Sequence, residues 1–267
     1  MKYSFSTVGC PNWRWHEITA AARDLGYDGI ELRGLGSDLT LTDLRIFSDE
    51  QIEKTAAELR ASGLSVPCLA SDCLLHNPDY DIAGVQGYIS LAAALGAPYI
   101  RVLGDDWGWP GENVDEALVA SRLKELAPAA EKAGVTLLME TSGVWADTAK
   151  LAALIAEVSS PAVRVLWDVH HPARYFNETP AETYKNIGQY VRHVHLKDSV
   201  MTDGKVVYKM IGYGDLPLLD ALKLLGNSGY DGFLSMEWVK RWNEELEDAG
   251  IVFAHFIYEI KKLLGKI

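Results

Sequence analysis

Short apolar runs rich in β-branched residues alternate along the whole chain with longer segments whose apolar positions recur every three to four residues. The first pattern is that of a strand and the second that of a helix. The first run covers 2–8, and the second, Gly29-Ile30-Glu31-Leu32-Arg33, follows a helical stretch over 16–25 that Gly26 closes. Helical patterns over 49–62, 81–95 and 114–133 end at Gly63, Gly96 and Gly134 and lead into runs at 65–70, 99–103 and 135–140. The second half repeats the scheme: helix 148–158, strand 163–168, helix 179–190, the strand carrying His195, helix 218–225, strand 232–237 and a last helix through Leu264.

Eight strand–helix units in 267 residues predict an α/β protein, a single-domain (β/α)8 TIM barrel spanning 1–267. A doubly wound sheet would carry a glycine-rich phosphate loop after its first strand, and Gly9-Cys10-Pro11-Asn12-Trp13 is not one. No Pro/Ser-rich linker or change of composition divides the chain.

Composition narrows the function. Hydrophobic residues at 48% suffice for a sizeable core, and a net charge of −12 without any basic run disfavours tracking a phosphate backbone, so no nucleic-acid partner is expected. Cys10, Cys68 and Cys73 form no Cys-x-x-Cys signature, which fits a reducing compartment. The N-terminal Met-Lys-Tyr-Ser-Phe-Ser lacks a signal-peptide core, and no run reaches the ~18 apolar residues of a membrane span. The expectation is a cytoplasmic protein without membrane partners; a homo-oligomer is compatible with everything above.

In such a barrel the catalytic face lies at the C-terminal ends of the strands. The residues there are polar: Glu31, His76 in the loop after the third strand, Arg101, Glu140, Asp168, His195 with Lys197, and Glu237. Glu140, Asp168, His195 and Glu237 come from the fifth to the eighth strands, which converge on one axis. Three carboxylates and an imidazole brought together repel or shift strongly unless a cation neutralises them. A set of oxygens with one nitrogen and no thiolate suits Mn²⁺ best, with Mg²⁺, Co²⁺ or Zn²⁺ as alternatives. In Asp168-Val169-His170-His171-Pro172, His171 stands just outside the strand, where the following proline favours extended backbone. It can aim at a substrate oxygen or at a ligand carboxylate; spacing alone does not choose between it and His170.

Met139-Glu140-Thr141, Asp168-x-x-His171, His193-Val194-His195-Leu196-Lys197-Asp198 and Met236-Glu237 together resemble the xylose isomerase-like barrel superfamily. The similarity is to the sugar phosphate isomerase/epimerase group that includes ketose 3-epimerases, hydroxypyruvate isomerase and inosose dehydratase. It implies metal ligation by Glu140, Asp168, His195 and Glu237, with His195 rather than His193 as the ligand because it directly precedes Leu-Lys-Asp. It also implies substrate contact by His171, and Glu140 and Glu237 acting as acid and base on opposite faces of a sugar. The expected activity is a metal-dependent isomerase or epimerase working on a small sugar or polyol carbonyl compound through an enediolate. A dehydratase like inosose dehydratase is the alternative. An endonuclease IV-like phosphodiesterase is disfavoured, because no Asp-x-His follows the seventh strand.

Other residues have two readings each. Arg101 and Lys197 can bind an anionic group of a substrate or pair with neighbouring acids such as Asp198. Trp107 and Trp109, in a glycine-bearing loop after the fourth strand, can stack on a sugar or anchor the loop. Asp215 in Gly212-Tyr213-Gly214-Asp215 reads as the N-cap of the next helix. His193, two residues before His195, is expected beneath the metal. No cluster of basic residues marks a phosphate pocket, so an unphosphorylated substrate is expected.

Overall fold

A computed structural model of the protein describes residues 1–106 and 109–266. The first half contains β1 (Lys2–Ser6), α1 (Trp15–Leu25), β2 (Gly29–Glu31), α2 (Ile52–Ala61), β3 (Cys68–Leu74), α3 (Ala83–Leu95), β4 (Tyr99–Leu103) and α4 (Glu116–Ala133). The second contains β5 (Thr136–Glu140), α5 (Thr148–Val158), β6 (Val163–Asp168), α6 (His170–Phe176), α7 (Pro180–Ile187), β7 (Val191–Leu196), the hairpin β8 (Asp198–Thr202) and β9 (Lys205–Lys209), α8 (Leu218–Asn227), β10 (Phe233–Met236) and α9 (Ala249–Leu264).

Among the described residues the main sheet has eight strands in the order β2-β1-β10-β7-β6-β5-β4-β3, every ladder parallel. Bridges Gly29–Ser65 and Leu32–Leu69 join β2 to the chain leading through β3, and with them the sheet closes into the expected (β/α)8 barrel. Glycines stop the helices where expected: Gly26, Gly96 and Gly134 adopt φ of 76°, 70° and 70°, a left-handed conformation that costs glycine nothing. No described helix is long and apolar enough to cross a membrane.

Strand alternation separates two environments. Leu137, Met139, Val165 and Trp167 join the main core between strands and helices, whereas Leu138 and Leu166 pack with Cys68 in a small separate cluster. Residues two apart share a face, so Glu140 follows Leu138, and Asp168 follows Leu166, toward the C-terminal mouth. His193 and His195 of β7 are likewise buried on one face. The apolar plug below and polar layer above place the chemistry at the expected end of the barrel.

Three local readings change. His171 is not extended: Val169 has φ −68° and ψ −23°, and His170–Phe176 is helical, with Pro172 tolerated in the first turn. The hairpin β8–β9 was not expected; Asp203 and Gly204, at φ 50° and 73°, form its turn. Asp215 does not cap α8, whose N-cap is Pro217, but pairs with Arg174.

Candidate active site

Four strand-end residues meet at the barrel mouth. Glu140 ends β5, Asp168 ends β6, His195 lies near the end of β7, and Glu237 directly follows β10. Each offers an atom within 4.8 Å of the other three, which makes them a group able to hold a metal ion. The centre is His195 Nδ1, with Glu140 Oε1 at 3.4 Å, Glu237 Oε1 at 3.5 Å and Asp168 Oδ2 at 3.9 Å.

The protonation of His195 follows from its other nitrogen. Nε2 lies 2.9 and 3.0 Å from the two oxygens of Glu31, which also receives His193 Nε2 at 2.7 Å. Glu31 is fully buried; burial opposes its charge, but His195 and His193 outweigh that and hold its carboxyl well below the usual range. An ionised carboxylate only accepts, so both histidines donate from Nε2. That leaves Nδ1 of His195 facing carboxylates as a buried atom without a hydrogen-bond partner among the described residues. It must either carry a second proton or direct its lone pair at a cation. Burial opposes a charge on His195, yet Glu31 and Glu237 hold its pKa well above the ordinary value.

Two cations hold the carboxylates in place. Arg101 Nη1 donates to Glu140 Oε2 at 3.0 Å, and Lys197 Nζ lies 2.5 Å from Asp168 Oδ2 while also donating to Glu237. Burial disfavours the Lys197 ammonium, but Asp168 and Glu237 raise its pKa well above normal. Glu140 is held low by Arg101 and His195 in spite of burial. Glu31, Glu140, Asp168 and Glu237 against Arg101 and Lys197 leave two negative charges once His195 gives up its second proton to a bound ion, the balance that one divalent cation cancels. The orphaned Nδ1, the oxygen-rich donor set and the charge all fit such an ion.

Asp168 also organises the next element. Its Oδ1 accepts the backbone N–H groups of His170 at 2.8 Å and His171 at 3.3 Å, starting α6, while Oδ2 stays with the cluster. His171 Nδ1 donates to the Thr141 carbonyl at 3.0 Å, so its Nε2 is the unprotonated nitrogen. Burial pushes its pKa down, Lys197 adds to this, and Asp168 opposes it.

A cavity of about 620 Å³ opens over the cluster and is lined by Arg101, Glu140, His171, Lys197, Tyr208 and Glu237. Of the residues expected from sequence, Arg101, Glu140, His171, Lys197 and Glu237 are brought together here with Asp168 and His195. His76 is not part of that lining; its Nε2 lies 3.3 Å from Asp106 Oδ1. Trp107 lies outside the described residues. Lys197 does not pair with Asp198, which instead accepts backbone N–H groups of Ser199, Gly212 and Gly214. Tyr208, on the unexpected hairpin, stacks on His170 at 5.6 Å and brings a phenol to the cavity. The Asp203-Gly204 pair between valine-bearing segments was the available signal for it.

Known proteins place this geometry in context. A fructoselysine 3-epimerase from Shigella flexneri is 26% identical over 262 residues, covering 92% of this chain and 92% of that protein. The crystal structure of the IOLI protein with a bound zinc atom superposes with a TM-score of 0.81 at 16% identity, covering 100% of this chain and 99% of that one. The probable 3-DHS dehydratase AsbF from Bacillus anthracis superposes with a TM-score of 0.79 at 17% identity, covering 98% and 99%. At those identities the two structures bear on the fold. The family model of the xylose isomerase-like TIM barrel matches residues 19–254, and the chain is an enzyme belonging to that family.

Proposed function

We propose that the protein is a divalent-metal-dependent epimerase or isomerase of a small ketose or related polyhydroxy carbonyl compound. The observation that carries the reading is the pair Glu140 and Glu237, both within 3.5 Å of His195 Nδ1 and both lining the cavity. Glu140, Asp168, His195 and Glu237 would hold the ion; the donor set favours Mn²⁺, with Mg²⁺, Co²⁺ or Zn²⁺ as alternatives. When bound, such an ion polarises a carbonyl and stabilises the negative charge that builds on it.

The chain's own residues supply the proton transfers. One glutamate removes the proton from the carbon beside the carbonyl and leaves an enediolate; the other returns a proton from the opposite face and inverts that carbon. Return to the neighbouring carbon interconverts ketose and aldose. Arg101 orients Glu140 and Lys197 orients Glu237; the glutamate that removes the proton starts as the carboxylate and the one that returns it starts as the acid. The unprotonated Nε2 of His171 accepts a hydrogen bond from a substrate hydroxyl, and Lys197 and Arg101 line the same space. Similarity to fructoselysine 3-epimerase supports a ketose and inversion beside its carbonyl.

The test is incubation of the Mn²⁺-loaded protein with a panel of ketoses in deuterated water, followed by NMR. Deuterium at the carbon beside the carbonyl with conserved composition supports the proposal. Loss of water would instead assign a dehydratase, and absence of exchange from every ketose and inosose would overturn the proton-transfer chemistry.

A further inference from the structure

A second cavity, of about 960 Å³, opens between the loops that follow β1, β2 and β10. Arg14, Arg45, Lys240 and Arg241 line it together with Trp13 and Trp15. The arginines are far apart in sequence, and only the fold gathers them. Arg14 and Arg45 reach the cavity from exposed positions, and neither makes an ion pair among the described residues.

Arg241 is half-buried and spends only Nη1, on the Gly36 carbonyl at 2.8 Å. Its Nε and Nη2 are buried donors without a hydrogen-bond acceptor among the described residues. The acids nearby offset these charges only in part. Asp248 is taken by Lys240 at 3.3 Å, and Asp38 and Glu244 lie beyond ion-pair distance of the three guanidiniums. In a protein of net charge −12, a cavity lined by Arg14, Arg45, Lys240 and Arg241 against Asp38, Glu244 and Asp248 carries a small local excess of positive charge.

This cavity adjoins the barrel mouth. Asp38 lines it while the next residue, Leu39, lines the central cavity; Arg241 and Glu244 line it while Trp242 and Asn243, between them, line the central one. The loops after β2 and β10 are therefore a shared wall, tied together by the Arg241–Gly36 bond. Guanidinium forks match the oxygens of a phosphate or carboxylate.

We infer that the second cavity receives the oxyanion end, phosphate or carboxylate, of an extended substrate whose carbonyl end occupies the barrel mouth. This rests on the function proposed above for the mouth. It differs from the expectation of an uncharged substrate because arginines from three loops form no run in the sequence.

Calorimetric titration of the Mn²⁺-loaded protein with D-fructose, D-fructose 6-phosphate, D-fructuronate and inorganic phosphate tests it. The expected result is that the phosphate ester or the uronate binds at least about tenfold tighter than both fructose and inorganic phosphate, and whichever does so identifies the oxyanion. R241Q and R45Q should each remove most of that advantage. Because Arg241 also holds Gly36, R45Q at its exposed position supplies the same test without loosening the wall. Equal binding of the charged and uncharged ketoses, or an advantage that survives both substitutions, would overturn the inference. An advantage that is present while no ketose exchanges deuterium would count against the proposed reaction and leave the oxyanion site standing.

Discussion

Glu31 accepts the Nε2–H of His195 at 2.9 and 3.0 Å, from a different edge of the ring than the one that faces Glu140, Asp168 and Glu237. The bond selects the tautomer in which Nδ1 carries a lone pair. Glu31→Gln offers an amide N–H as well as a carbonyl and no longer enforces that choice. Metal affinity is expected to fall by about 10- to 100-fold, the usual effect of losing such a supporting carboxylate. Manganese titration followed by electron paramagnetic resonance reads it directly, and unchanged affinity would show that His195 is oriented by other means.

Glu140→Gln and Glu237→Gln separate the two faces of the site. Each should lower epimerisation by about 10²- to 10⁴-fold, the range for loss of a positioned acid or base. The two differ in solvent exchange. If the carboxylates serve opposite faces, each variant still washes deuterium out of one epimer and not out of the other. Loss of exchange from both epimers in both variants would assign the two glutamates to metal binding alone.

Gly214 lies against the carboxylate of Asp198 and the carbonyl of Ser199, where an added methyl has no room. Asp198 in turn accepts the N–H groups of Ser199, Gly212 and Gly214 and so anchors the base of the hairpin that carries Tyr208. Gly214→Ala should cost about 1–3 kcal/mol, as overpacking does. Urea denaturation measures the loss. KM should rise as well, since the hairpin must shift; a variant of unchanged stability would mean that the loop yields freely.

A pH-dependent effect is expected away from the site. Thr179 and Glu182 form a reciprocal cap on α7, in which Thr179 Oγ1 accepts the Glu182 N–H at 3.2 Å and the Glu182 carboxylate accepts the Thr179 N–H and O–H at 2.8 Å each. Those bonds lower the pKa of Glu182. A carboxyl lowered by folding stabilises above its unfolded pKa, and the contribution fades as pH falls through the folded one. Thr179→Ala should therefore lower the melting temperature at neutral pH, with the difference from the parent shrinking below the ordinary glutamate range near ~4.3. Thermal melts across that range check the sign.

Strand ends were legible because period-2 alternation and the parallel barrel put Glu140, Asp168, His195 and Glu237 at equivalent heights once the strands were found. Glu31 was visible as a strand-end acid, but its partners lie 162 and 164 residues away and only barrel closure brings them to it. The helical start at His170 was hidden because Pro172 favours an extended preceding residue, a preference overridden by the N–H bonds to Asp168. Tyr208 was missed for a different reason: its hairpin is an insertion outside the strand–helix rhythm. Arg14, Arg45 and Arg241 belong to separate loops, and loop proximity is a property of the tertiary fold alone.

The ammonium of Lys197 between Asp168 and Glu237, with Arg101 on Glu140, has a practical consequence. Acids crowded this closely would spread apart if an ion were their sole restraint, and stripping it would loosen the barrel mouth. Here the counter-charges come from β4 itself and from the residue that directly follows β7. A chelator should thus yield a folded, inactive protein that reloads at the rate of ion entry rather than of refolding, unlike small domains that collapse only around their metal.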